Sequence, residues 1–208
     1  MGLGSMMAGG NPDPIRGREK DDFYGTPKDA TRALCDVLEI GPGHMIWEPS
    51  CGEGAISNVL IGRGATVIST DLVDRGYGDS FGDFLEYTEM PEGYDTIITN
   101  PPYGKFPALF INHAWNVLKV KKMALLLKST YFQAKDRELI WYNARPCAAL
   151  ALTWRLDFMG LGAPTMENTW FIWDRDAPPN TTLYNRLDNP SAVAPKEKKA
   201  VRKKRVAK

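Results

Sequence analysis

Residues 45–71 read MIWEPSCGEGAISNVLIGRGATVISTD, and this stretch decides the fold. A short apolar run, 45–48, stops at a turn carrying Pro49, Gly52 and Gly54. A helical stretch over 55–61 follows, and a second β-branched run, 66–70, ends at Asp71. Strand, glycine turn, helix and strand in that order predict a βαβ unit, whose two strands lie parallel in one sheet. In such sheets ligands gather outside the carboxyl ends of the strands, so the turns after the strands matter most.

The same alternation runs outward in both directions. Upstream, Thr26 suits a helix N-cap, Pro27 the first helical position and Asp29 the first turn. The helix they open carries Ala30, Leu34, Val37 and Leu38 on one face and stops at Gly41-Pro42-Gly43. Downstream, the pattern predicts a short strand within 82–87, a strand over 94–99, a helix over 106–118 and a strand over 123–127. A helix over 134–143 follows, then strands over 148–154 and 169–173 joined by a Gly/Pro-bearing loop, 156–168. The expected class is α/β: a Rossmann-like, doubly wound, mostly parallel seven-stranded sheet with an antiparallel hairpin at its C-terminal edge. The expected organisation is a flexible N-terminus over 1–22, one domain over 23–176, and a flexible Pro/Lys/Arg-rich tail over 177–208.

Composition removes several classes. The 208 residues are 43% hydrophobic, enough for a core without disulfides. No apolar run approaches about 18 residues, so no membrane association is expected. The N-terminus lacks the apolar stretch of a secretory signal. Cys35, Cys51 and Cys147 are scattered and there are two histidines, which argues against a metal site and fits a reducing cytoplasm. The net charge of +1 hides an asymmetry: residues 196–208 hold eight Lys/Arg and one Glu, on a mildly acidic body. Such a tail, Lys203 within it, attracts a polyanion by releasing counterions, or simply keeps the chain in solution.

Three turns carry chemistry. In Glu48-Pro49-Ser50-Cys51-Gly52-Glu53-Gly54, two glycines lie between strand and helix, where missing Cβ atoms let a ligand approach free helix N–H groups. It is no dinucleotide fingerprint, since Ser57 stands where the third glycine belongs, and no P-loop, since no Gly-Lys-Ser/Thr follows. Glu48 and Glu53 would repel phosphate and suit a cationic or amine-bearing ligand. Asp71, at the end of the second strand, suits ribose hydroxyls. In Asn100-Pro101-Pro102-Tyr103, two prolines fix the backbone and remove two donors, leaving acceptors beside a flat ring.

These motifs, EPSCGEG, Asp71, Gly82-Asp83-Phe84 and NPPY in that order, resemble class I S-adenosylmethionine-dependent amino-methyltransferases. Within that class the chain is similar to the DNA adenine-N6 methyltransferases, small phage-type enzymes included. Tyr24-Gly25-Thr26-Pro27 also resembles their N-terminal element, which closes over the cofactor's methionine. The resemblance implies S-adenosylmethionine as cofactor. Glu48, Pro49, Ser50, Gly52 and Gly54 would then line its methionine region and Asp71 would hold its ribose. Asp83 would accept from its adenine amino group, and Phe84 would pack on that ring. Asn100 and Pro101 would bind the target amine, with Pro102 rigidifying the loop and Tyr103 stacking on the base. Phe132 and the tail would add target contacts, as would Arg155. The tryptophans of the last strand, Trp170 and Trp173, suit core packing better than base stacking.

The leading expectation is N6 methylation of adenine in DNA. The same loop serves RNA adenine and protein-glutamine amide methyltransferases, and a non-catalytic cofactor-binding subunit is a third reading. Nothing between Gly54 and Asn100 leaves room for a recognition domain, so the expectation is short-site or relaxed specificity, or a homodimer or partner protein that supplies target recognition.

Overall fold

The computed structural model describes residues 25–162 and 164–192. Eight strands form one sheet: β1 (Met45–Glu48), β2 (Thr66–Asp71), β3 (Ser80–Phe81), β4 (Thr96–Thr99), β5 (Lys122–Lys128), β6 (Ala148–Leu152), β7 (Asn168–Asp174) and β8 (Leu183–Leu187). Their order across the sheet is β3-β2-β1-β4-β5-β7-β6-β8. Strands β1 to β5 run parallel, β7 is antiparallel to both β5 and β6, and β8 is parallel to β6. Strand order reverses between β1 and β4, which places a ligand crevice at their carboxyl ends. The two turns bearing EPSCGEG and NPPY start there.

Period-two alternation sends successive side chains to opposite faces. Ile46, Ile98, Ala124, Leu126, Leu150, Trp170 and Ile172 face one core. It is closed by α1 (Lys28–Leu38) and α2 (Ser57–Gly62) through Ala30, Leu34, Val59 and Leu60. Trp47, Ile97, Met123, Leu125, Phe171 and Trp173 face the other core. There the cover is α3 (Phe106–Asn112) and the π turn His113–Val117 that continues it, through Phe110, Ile111 and Ala114. A last helix, α4 (Glu138–Asn143), follows two short 3-10 turns. Burial on both faces explains why the central strands read as unbroken apolar runs.

Four expectations need correction. The sheet has eight strands, because Leu183–Leu187 pairs with β6 beyond residue 176, inside the segment expected to be a flexible tail. Residues 82–87 hold a 3-10 turn, Phe84–Glu86, capped by the Asp83 carboxylate accepting from Leu85 N at 2.9 Å; the strand lies earlier, at β3. The first helix starts at Lys28 with Pro27 in the cap position, so Thr26 lies outside it and makes no capping bond. Val37 is exposed, and Thr31, Ala33 and Cys35 take the inward positions instead. Among the described residues no helix is long and apolar enough to cross a membrane.

Candidate active site

At the carboxyl ends of β1, β2 and β4 lies an open cleft of about 570 Å³. Gly25, Thr26, Glu48, Ser50, Asp71, Asn100, Pro101, Pro102 and Tyr103 line it, with Cys51, Ala55, Ile56 and Arg75. Four segments far apart in sequence thus converge where β1, β2 and β4 end.

The glycine turn is tied to its neighbours by backbone and carboxylate bonds. Cys51 N donates to Thr70 O at 3.0 Å, and Gly52 N to an Asp71 carboxylate oxygen at 2.8 Å. The other Asp71 oxygen accepts from Val73 N at 3.0 Å. Asp71 therefore clamps the glycine turn to the end of β2, and each of its oxygens keeps one lone pair for a ligand hydroxyl. Gly52 and Gly54 adopt φ of 55° and 78°, the left-handed region that favours glycine.

Gly54 does not face open space. A Cβ there would run into the Tyr77 ring. The expectation that a ligand rests on Gly54 is corrected to Tyr77 resting there. Arg75 comes from the same 72–79 loop and lines the cleft. Neither residue carries a local sequence signal, because only the path of the loop back over the glycine turn brings them in. Glu53 is exposed, and Pro49 and Gly52 are buried behind the lining.

Glu48 is 1% exposed. Its carboxylate accepts from Ser57 N at 2.8 Å and from the Ser57 hydroxyl, which itself meets the Ser69 hydroxyl at 2.6 Å. Burial pushes its acid up to about 8, against the opposing pull of the Ser57 bonds and with help from the Asp71 charge. Burial thus favours the protonated acid of Glu48 at the cleft floor near neutral pH.

The sign of the stability effect follows from the same shift. In the folded chain Glu48 holds its proton to about pH 8, whereas an unperturbed Glu gives it up near 4.5. Between these values the folded state binds the extra proton, so this contribution to stability is complete below 4.5 and is lost as pH rises through 8. Glu48→Gln is expected to remove that falling limb in melting temperatures recorded from pH 5 to 9. An identical slope in wild type and variant assigns it to another group.

The NPPY turn leaves β4 at Thr99. The Ser50 hydroxyl meets the Thr99 hydroxyl at 2.6 Å and donates to the Asn100 carbonyl at 3.4 Å, linking the two loaded turns. The Asn100 side-chain amide donates from Nδ2 to Thr26 Oγ1 at 3.1 Å. Its Oδ1 is buried and has no hydrogen-bond partner among the described residues. Such an acceptor costs free energy unless something fills it. Tyr103 meets Phe158 edge-on, 6.5 Å between ring centroids, so the 156–168 loop reaches the rim of the cleft.

Several expected site residues lie elsewhere. Phe84 is buried against Trp47, Phe110 and His113, so its faces are taken by the core. Asp83 caps its turn and is absent from the cleft lining. Phe132 packs edge-on to Tyr131, Trp141 and Phe171, as part of the aromatic cover of the sheet. Arg155 is exposed and pairs with Glu167, Nε to carboxylate oxygen at 2.9 Å. Pro27 caps α1 beside the lining. Tyr24 and Lys203 lie outside the described residues.

No protein-family model and no curated protein sequence matches the chain. Solved structures match its fold. A protein of Vibrio vulnificus YJ016, described as the modification subunit of a type I restriction enzyme, superimposes with a TM-score of 0.60 at 14% identity, over 82% of this chain and 48% of its own. The methyltransferase subunit of a type I restriction-modification system from Streptococcus thermophilus gives 0.60 at 14%, over 78% and 47%. A Pyrococcus horikoshii protein described as an RNA methyltransferase gives 0.59 at 15%, over 76% and 91%. The chain spans about half the length of the first two. What it shares with all three is the Rossmann-like fold.

Proposed function

We propose that this chain is an S-adenosylmethionine-dependent methyltransferase acting on the exocyclic N6 amine of adenine in DNA. The observation that carries this reading is the buried, unpartnered Oδ1 of Asn100, held on a proline-stiffened turn at the carboxyl end of β4. The fold supports it, being one that methyltransferases use.

The residues of the cleft fit the cofactor. Two carboxylates, Glu48 and Asp71, offer acceptors for a ligand with cationic groups and ribose hydroxyls, and Arg75 offers a counter-charge for its carboxylate. When bound, S-adenosylmethionine supplies an electrophilic methyl group on a sulfonium. The chain's own part is positioning. The lone pair of an adenine amine is delocalised into the ring and attacks poorly. Asn100 Oδ1 and the Pro101 carbonyl accept its two N–H groups, favouring a tetrahedral nitrogen whose lone pair points at the methyl. The two prolines hold both acceptors in place, so the reacting atoms are oriented before reaction, a large part of the rate gain for such a transfer. Tyr103 offers a face for the target base, which a duplex must extrude to present.

Tyr24, which lies outside the described residues, is proposed to join Gly25 and Thr26 on the methionine side of the cleft. The basic stretch 196–208 supplies phosphate contacts, Lys203 among them. Deleting it is expected to weaken DNA binding and to flatten the dependence of log affinity on log salt by several units, since each phosphate neutralised adds about 0.9 to that slope. An unchanged slope in a fluorescence titration removes the tail from the interface. The segment between Gly54 and Asn100 has no room for a recognition domain, which fits target recognition supplied by a second copy or a partner protein.

A second reading is an RNA adenine amine as target, favoured by one observation. The protein described as an RNA methyltransferase is matched over 91% of its length. Incubation with methyl-labelled S-adenosylmethionine and, separately, unmethylated DNA, total RNA and a protein extract separates the readings. After digestion and mass spectrometry, N6-methyladenine from DNA is the expected product. Label in RNA or in glutamine transfers the proposal to that substrate. Absence of label from all three ends it.

A further inference from the structure

The side chain that meets Asn100 comes from the other end of the domain. Thr26 is 74 positions upstream, 5% exposed, and precedes Pro27, the cap residue of α1. By sequence its hydroxyl should cap that helix, yet Pro27 takes the cap position and no side-chain capping bond is made. The hydroxyl instead accepts from Asn100 Nδ2 at 3.1 Å. We infer that Thr26 is a positioning residue for Asn100: its hydroxyl pins the amide so that Oδ1, and not the amide N–H, faces the target amine. This rests on the amino-methyltransferase reading above and deepens it.

An asparagine amide has a donor end and an acceptor end that differ little in shape. Turned over, it would present N–H to a substrate amine that is itself a donor, and the bond that orients the lone pair would become a repulsion. Nothing in the backbone of the NPPY turn prevents this. The Ser50 hydroxyl holds the turn through the Thr99 hydroxyl and the Asn100 carbonyl, and neither bond involves the Asn100 side chain. The side-chain partner that Asn100 finds among the described residues is the Thr26 hydroxyl. It takes the donor end, and Oδ1 is left buried and unpartnered at the cleft. Thr26 thereby acts through Asn100, a role distinct from contact with the cofactor's methionine.

The test uses the full chain and two substitutions. Thr26→Val keeps the shape and removes the acceptor, and Thr26→Ser restores it. Valine is expected to lower kcat for methyl transfer on the order of 10²-fold, the scale of a small misplacement of a catalytic group. The loss in kcat should be at least ten times any loss in cofactor affinity, as befits a defect in positioning. Serine is expected to recover most of kcat. The inference is overturned if valine turns over like wild type, if its defect lies in cofactor Kd, or if serine is no better than valine.

A second readout does not depend on activity. The Asn100 side-chain NH2 resonances, identified by their loss in Asn100→Asp, should be slow to exchange with solvent in wild type. In Thr26→Val they should exchange at least several-fold faster. Equal exchange in the two proteins overturns the inference even if the chain methylates nothing. Lack of transfer by wild type to DNA, RNA and protein overturns the function reading and leaves the amide measurement standing.

Discussion

Replacing Asn100 by alanine is expected to reduce methyl transfer by a factor of 10² to 10³ or more, while cofactor affinity stays within a few-fold of wild type. The magnitude is that of removing one preorganised hydrogen-bonding group from a transition state. The split between turnover and affinity follows from geometry. The Asn100 side chain makes one described bond, to Thr26, and its other end faces the cleft. Losing that bond costs stability only on the order of 1 kcal/mol, so the variant remains folded and its defect is chemical. Asn100→Asp is informative beside it. One carboxylate oxygen can accept from the Thr26 hydroxyl while the other keeps an acceptor in the cleft, so aspartate should retain more activity than alanine. Turnover by the alanine variant within a few-fold of wild type would remove Asn100 from the catalytic assignment.

Replacing Trp170 by alanine is expected to cost about 3–5 kcal/mol, the range for a buried tryptophan. A domain of this kind has about 5–15 kcal/mol in all, so much of the population should be unfolded at modest urea concentration. Trp170 is fully buried on β7, between β5 and β6, and faces the core under α1. Its indole N–H donates to the Ala30 carbonyl of α1 at 2.9 Å across 140 positions of sequence. Trp170→Phe keeps most of the ring volume and loses that bond, so it should fall between wild type and alanine. Urea midpoints at constant slope measure the effect, and a loss below 1 kcal/mol for alanine would deny Trp170 this role.

Much of the fold could be read in advance because the apolar pattern and the punctuation agree. Ile46 and Trp47, or Phe171 and Ile172, are adjacent pairs that feed opposite cores, which is what an unbroken apolar run between turns implies. Strand β8 escaped because Leu183-Tyr184-Asn185-Arg186-Leu187 is polar and mostly exposed, and only its pairing with β6 makes it a strand. In the site, Glu48, Ser50, Asp71 and the NPPY turn were legible because their positions follow strand ends. Arg75 and Tyr77 were not, since the 72–79 loop owes its course to tertiary contact with the glycine turn. Phe84 was misassigned because an aromatic after an aspartate reads alike whether it faces a ligand or a core. Thr26 lines the cleft, but its hydroxyl meets Asn100 and not the helix cap that its place before Pro27 suggests.

The place of β7 in the sheet has a consequence for how the chain is made. Although it is seventh in sequence, β7 sits between β5 and β6 and pairs with both. While the chain leaves the ribosome, β5 and β6 are present with matching open edges before residue 168 has been joined. Both run in the same direction, so they can pair wrongly with each other, and the late strand must then prise them apart. Non-local pairing of this sort is slow, and exposed strand edges meanwhile invite aggregation. Nascent chains stopped anywhere before Asp174 should therefore be sensitive to protease and recruited by chaperones, and resistance should appear in a single step once β7 has cleared the exit tunnel.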